Sequence, residues 1–200
     1  EFTDAGGNRV VVAGSCAEYD WGYKNYSEDK TPLDPATLYG TCKHSLQLML
    51  SSYAALKGLS FAWGRIFSIY GPHEHPDSLC SSVIKALLRG QRIKCSNGGL
   101  IRDYLHVSDV ASAFVALLVN DIQGSVNIGS GFGTKLRDIV GKIEKKIGND
   151  GFLEIATKPS SLNEAPIIVA DTTRLNNIGW KPIYDIESGL DHTIDWFRNN

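Results

Sequence analysis

Four consecutive apolar residues, Val10, Val11, Val12 and Ala13, run into Gly14-Ser15. A short apolar run closed by glycine predicts a buried parallel strand over 9–14. Residues 15–35 are polar and aromatic and end in Pro32-Leu33-Asp34-Pro35, a loop. Pro35 ahead of a helix-compatible stretch predicts a helix over 36–57, with Gly58 as its C-cap. Further strands are expected at 59–67, 92–95, 101–106, 125–128 and 152–155. Helices are expected at 78–89, 108–119, 134–147 and 186–197, with a short capped one from Asp171 to Gly179. In 134–147 the apolar Leu136, Ile139, Val140, Ile143 and Ile147 recur at helical period between charges. Alternating strands and helices predict an α/β fold with right-handed crossovers in a parallel sheet.

Composition narrows the class without fixing the function. A 200-residue chain with 42% hydrophobic and 21% charged residues can bury a substantial core as a soluble protein. A formal net charge of −2 gives no electrostatic reason to expect nucleic acid or an anionic membrane as partner. The longest apolar run, 110–119, is too short to span a bilayer and contains Ser112. The four cysteines at 16, 42, 80 and 95 form no Cys-x-x-Cys pair, and no histidine stands at metal-ligand spacing from them. Cys16 and Cys42 are expected as small buried thiols, which suits a reducing cytoplasm. His73 and His75 beside Glu74, on a proline-bounded loop, do not make a metal site.

Candidate chemistry enters at Tyr39 and Lys43, four residues apart on the helix predicted over 36–57 and so on one face of it. A free tyrosine, with a pKa of about 10, is a poor base at neutral pH. An adjacent ammonium favours the phenolate, which lets one side chain shuttle a proton to or from a sugar hydroxyl. Ser15, at the end of the strand predicted over 9–14, would fix the reacting oxygen. These are the parts needed for hydride transfer between a carbinol and a nicotinamide. Taken alone, the spacing describes equally a surface tyrosine beside a solvated lysine.

The surrounding motifs distinguish the two readings. Gly14-Ser15-Cys16-Ala17-Glu18-Tyr19 comes first, followed by Tyr39 to Lys43. Gly64-Arg65-Ile66-Phe67-Ser68-Ile69-Tyr70-Gly71-Pro72 and Arg102-Asp103-Tyr104-Leu105-His106-Val107-Ser108-Asp109 come next. In this order and at these separations the chain resembles the extended short-chain dehydrogenase/reductases, the nucleotide-sugar epimerases, dehydratases and reductases. The resemblance implies a Rossmann-like parallel sheet, incomplete because its first strands are missing, and a smaller C-terminal substrate-binding lobe. Residues 1–72 and 107–130 would form the nucleotide-binding part, and 73–106 and 131–200 the lobe.

It also implies roles: Ser15, Tyr39 and Lys43 catalytic, with Tyr39 and Lys43 also against a cofactor, NAD or NADP. Ser15, Ser68 and Arg102 would meet the nucleotide-sugar substrate, Arg102 through its diphosphate. No metal is expected. Arg65 reads as structural. The full-length protein is expected to be a homodimer, with helix 36–57 in its interface.

Relatives carry a strand and glycine-rich turn for the cofactor pyrophosphate, and none precedes Val10. The chain is therefore expected to be a fragment that binds dinucleotide poorly, with 9–14 an unprotected apolar sheet edge. Gly129-Ser130-Gly131-Phe132-Gly133 follows an apolar strand but is expected only to turn the chain.

Two departures shape the activity. Dehydratases place Asp-Glu directly after the catalytic hydroxyl residue, where this chain has Cys16 and Ala17, so dehydration is disfavoured. Ser68 stands where many relatives have an asparagine. Reduction of a 4-keto sugar, or epimerisation through a transient ketone, is the expected reaction. A non-catalytic nucleotide sensor or scaffold is the alternative.

Overall fold

The apolar run does form the first strand, β1 (Arg9–Ser15), in the computed structural model, which describes residues 1–95, 98–155 and 165–200. A 3-10 turn (Cys16–Glu18), β2 (Asn25–Tyr26), α1 (Leu38–Lys57), β3 (Ser60–Ile66), β4 (Ser68–Tyr70) and α2 (Leu79–Leu88) follow. Next come β5 (Ile93–Cys95), β6 (Ile101–His106), α3 (Val107–Val119), β7 (Gly124–Ile128) and β8 (Gly133–Lys135). The chain ends with α4 (Leu136–Ile147), β9 (Leu153–Ile155), β10 (Ile167–Ala170), α5 (Thr173–Asn177) and α6 (Ile186–Asn199).

Strands β1, β3 and β7 form a parallel sheet in that order, with Val11 opposite Ala62 and Ala62 opposite Gly124. Among the described residues β1 pairs only with β3, so its other edge carries no strand. A second sheet runs β2-β10-β6-β4, all parallel, with β8 added antiparallel to β6. Strands β5 and β9 pair separately.

Helix ends differ from the sequence expectation for identifiable reasons. Helix α1 starts at Leu38, not 36, because Thr37 is its N-cap and its hydroxyl accepts the Gly40 N–H at 3.1 Å. Helix α3 starts one residue early, since the His106 ring, not Ser108, accepts the first free amide, that of Ser108, at 3.2 Å. The segment expected as helix from 134 begins instead as β8, because Thr134 and Lys135 pair with Arg102 and Ile101. Cys42, expected as buried, is exposed, because it lies on the face of α1 turned away from the sheet.

Three apolar clusters bear on the site. Leu105, Val110, Leu117, Val126 and Ile128 join Leu175 and Trp180 beneath the three-stranded sheet. Tyr70, Ile84, Leu87, Ile139, Ile143 and Leu190 unite α2, α4 and α6. A smaller aromatic group, Tyr19, Tyr26 and Phe67 with Ile168 and Ala170, links the turn after β1 to the second sheet. Only Gly40 and Ala54 of α1 are fully buried. Its outer face carries Leu38, Met49 and Leu56 at 81%, 68% and 85% exposure.

His106 yields a pH prediction. Its Nδ1 accepts the Ser108 N–H, so the neutral ring holds its proton on Nε2, 3.2 Å from His192 Nδ1. Charging the ring places a second N–H against that of Ser108. Burial, and then the neighbouring His192, lower the His106 pKa below 6.5 while Asp109 opposes them. Because the folded value lies below the unfolded one, this stability is present above 6.5 and lost as pH falls through the folded value. Glu74 behaves oppositely. Burial raises its carboxyl from 4.5 to about 7, so its contribution is full below 4.5 and lost as pH rises towards 7. The check must therefore be site-resolved: the His106 Cε1–H resonance should titrate with a midpoint below 6.5, and a higher midpoint contradicts the assignment.

Candidate functional site

The C-terminal end of β1 is held by a buried polar network. Ser15 caps the 3-10 turn, its Oγ accepting the Ala17 N–H at 3.2 Å, while the Glu18 carboxylate accepts the Ser15 N–H at 2.7 Å. Glu18 also accepts Trp63 Nε1–H at 3.0 Å and Arg65 Nε–H at 2.9 Å. Arg65 donates onward to the Tyr19 hydroxyl at 3.2 Å, which in turn donates to Asn127 Oδ1 at 2.8 Å. Burial pushes the Tyr19 phenol up to about 12, against the pull of Arg65. Glu18 and Arg65 are 0% and 1% exposed, a fully desolvated ion pair. Arg65 thus has the structural place expected of it, whereas the role of Glu18 was not legible, because an acidic residue after Ala17 reads as loop surface.

Helix α1 lies directly against this turn. A methyl group built on Gly40 would stand 2.2 Å from the Ala17 carbonyl oxygen, so only glycine permits the approach. One turn on, Lys43 Nζ donates to the Ala13 carbonyl at 2.9 Å and lies 5.9 Å from the centre of the Tyr39 ring. Lys43 thus reaches the β1 backbone two residues before Ser15, with Tyr39 beside it on α1. Ser15 is 8% exposed and Tyr39 57% exposed.

Cys16 follows Ser15. Burial pushes its thiol up to about 12, with the charge of Arg102 opposing, so the thiol is no proton shuttle at neutral pH and Arg102 stands within electrostatic reach. Arg102 itself donates to the Ile101 carbonyl at 2.9 Å. Ser68 on β4 lies opposite Tyr104 on β6, and Arg102, two residues before Tyr104, shares that face. Ser68 and Arg102 thus occupy one face of the second sheet, with the Ser15 turn alongside through Cys16. Trp21, which the sequence reading did not single out, packs against the same aromatic group, and its buried indole N–H has no partner among the described residues.

The glycine-rich turn at 129–133 is filled by the protein itself. The Asp103 carboxylate accepts the amides of Ser130 (2.7 Å), Gly131 (2.9 Å) and Ala170 (3.1 Å), and the Ser130 hydroxyl (2.6 Å). Two of those amides are the ones a phosphate would need. Burial raises the Asp103 pKa, with these hydrogen bonds opposing. Asp103→Asn turns one acceptor into a donor facing donors and should cost about 1–3 kcal/mol. A urea midpoint that falls at unchanged slope is the expected result; an unmoved midpoint contradicts it. Among the described residues no group of three His, Cys, Asp or Glu side chains could hold a metal ion. None of the described helices is long and apolar enough to cross a membrane.

The fold and the motifs agree with comparison to known proteins. The model of the NAD dependent epimerase/dehydratase family matches residues 2–129, more than half of the chain, and the protein belongs to that family. It is 30% identical over 199 residues to a putative UDP-glucose 4-epimerase of Methanocaldococcus jannaschii, matching 96% of this chain and 64% of that protein. A dTDP-D-glucose 4,6-dehydratase of Mus musculus is 22% identical, over 98% of this chain and 58% of its own. Among solved structures, MoeE5 in complex with UDP-glucose and NAD superposes with a TM-score of 0.87 at 29% identity, over 99% of this chain and 67% of its own. The UDP-glucose 4-epimerase of Thermus thermophilus in complex with NAD gives 0.85 at 24%, over 98% and 66%, a likeness of fold alone. The architecture is thus the Rossmann-like α/β fold of these proteins. The chain spans 64% and 60% of the length of two archaeal relatives it matches.

Proposed function

We propose that the protein is an NAD- or NADP-dependent enzyme of nucleotide-sugar metabolism that reduces a 4-keto sugar or epimerises through one. The observation that supports this reading is Lys43 of α1, with Tyr39 beside it, bonded to the β1 backbone two residues before Ser15, with Cys16 and Ala17 where a dehydratase has its acid pair. Lys43 spends one of its three donors on Ala13, which leaves two for a pair of ribose hydroxyls, so the residues present fit a nicotinamide nucleotide. The bound nicotinamide supplies or accepts the hydride.

The chain's own groups handle the proton and the orientation. Tyr39 gives a proton to the sugar oxygen on reduction and removes it on oxidation. The Ser15 hydroxyl accepts the Ala17 amide, which leaves its hydrogen free to donate to the same sugar oxygen. Arg102 and Ser68 face the diphosphate. Residues 1–72 with 107–130 form the nucleotide-binding part, and 73–106 with 131–200 the substrate lobe. The exposed apolar face of α1 suits a homodimer interface in the full-length protein, which we place in the cytoplasm.

Full-length protein incubated with NADPH and a nucleotide 4-keto-6-deoxy sugar tests this reading. Oxidation of the cofactor marks a reductase and appearance of an epimer marks an epimerase. Neither product contradicts both.

A further inference from the structure

Three donors from two strands converge on one carboxylate in the turn after β1, and one of them is the backbone N–H of the hydroxyl residue in the proposed site. We propose that Glu18 is a positioning residue, setting the Ser15 hydroxyl through the Ser15 backbone; this rests on the function proposed above. Glu18 does not touch substrate. Its Oε1 accepts the Ser15 N–H at 2.7 Å and its Oε2 accepts Arg65 Nε–H at 2.9 Å, while Trp63 Nε1 lies 3.0 Å from both oxygens.

The arrangement follows from strand geometry. Trp63 and Arg65 are two residues apart on β3, so both side chains point to the same face. Ser15 lies opposite Ile66 at the end of the β1–β3 ladder. The carboxylate therefore clamps the last residue of β1 to β3 at the point where the chain leaves the sheet.

Gly14 makes room for the clamp. A methyl built there would meet Trp63 Nε1 at 2.1 Å and Glu18 Oε1 at 2.6 Å, so indole and carboxylate sit directly over the backbone. Arg65 balances the charge, and the short bond to Ser15 N–H is charge-assisted. With its amide held by Glu18 and its Oγ accepting the Ala17 N–H, Ser15 is held at both backbone and side chain, and its hydroxyl hydrogen is restricted to the directions that the accepted bond leaves open. An ordinary buried ion pair adds little net stability, since desolvation offsets its attraction. This one also takes hold of the backbone of a single proposed catalytic side chain.

A double-mutant cycle separates positioning from general stability. In the full-length protein, Ser15→Ala, Glu18→Gln and the double variant are assayed with NADPH and a nucleotide 4-keto-6-deoxy sugar. Glu18→Gln should lower kcat by about 10–100-fold with KM little changed, the scale set by small misplacements of a reacting group. The double variant should be no slower than Ser15→Ala alone. Multiplying losses, or an unchanged kcat in Glu18→Gln, overturn the proposal. Should Glu18→Gln not accumulate, Glu18→Leu/Arg65→Met removes both charges together and enters the same cycle.

A wild-type protein inactive on this probe would count against the proposed function. The clamp would then be decided by hydrogen exchange at the Ser15 amide. Exchange accelerated at least tenfold in Glu18→Gln, with the Val11 and Val12 amides unaffected, supports it. Unchanged protection of Ser15 overturns it.

Discussion

Arg65→Met alone is expected to lower folding stability by about 3–5 kcal/mol, the largest effect of any single change considered for this chain. The Glu18 carboxylate would remain buried, stripped of its countercharge and of one of its donors. Tyr19 would lose the guanidinium that lies 4.8 Å from its ring centre and bonds its hydroxyl. Little of this can be relieved by water, since both ionic side chains are at or below 1% exposure.

The pair itself is a weak source of stability, because two desolvated charges largely offset their own attraction. Glu18→Leu/Arg65→Met should therefore recover most of the loss. By contrast, cutting the exposed bridge from Lys142 to Glu187 on the outer faces of α4 and α6 should change stability by less than about 1 kcal/mol. Urea unfolding of the three variants checks the ordering. An Arg65→Met protein within about 1 kcal/mol of wild type would show that the buried pair is not desolvated as described.

Tyr39→Phe is expected to reduce kcat by about 10²–10⁴-fold, the usual worth of a general acid or base, while leaving the fold intact. The two consequences separate because the hydroxyl does no structural work. It makes no hydrogen bond to the described residues, and the residue is 57% exposed, so its removal should cost less than about 0.5 kcal/mol. Lys43, by comparison, is tied to the Ala13 carbonyl, and its replacement mixes a lost charge with a lost contact between α1 and β1. Steady-state rates and melting temperatures measured on the same Tyr39→Phe preparation test the separation. Equal losses in both would contradict it, and unchanged cellular function of Tyr39→Phe would favour a nucleotide sensor.

Much of the frame was legible because the long elements carry their own period. The apolar run of β1, the Gly58 stop of α1 and the charge-spaced face of α4 each reflect local physics. The short strands β2, β4, β8 and β10 were not legible. They have two to four residues each and owe their hydrogen bonds to partners distant in sequence, such as Tyr26 with Ala170 and Ser68 with Tyr104. No period can show in so few residues.

The site divides in the same way. Tyr39 and Lys43 could be paired from their spacing, and Ser15 from its place at a strand end. Glu18, Trp63 and Asp103 could not, because each acts by satisfying donors that only the folded chain brings together. The turn at 129–133 shows how chemistry overrides motif. Its glycines resemble a phosphate loop, yet it was expected only to turn the chain, and the carboxylate of Asp103 occupies the amides of Ser130 and Gly131.

Stopped-flow absorbance of the nicotinamide is the most direct test of the site as a whole. Full-length protein loaded with NADPH is mixed with a nucleotide 4-keto-6-deoxy sugar, in wild type and in Tyr39→Phe. A rapid loss of the reduced cofactor in wild type, slowed at least about 10²-fold in the variant, is the predicted result. A silent wild-type trace with no epimer formed, or two traces that superimpose, would contradict the assignment of Ser15, Tyr39 and Lys43 to proton and hydride transfer.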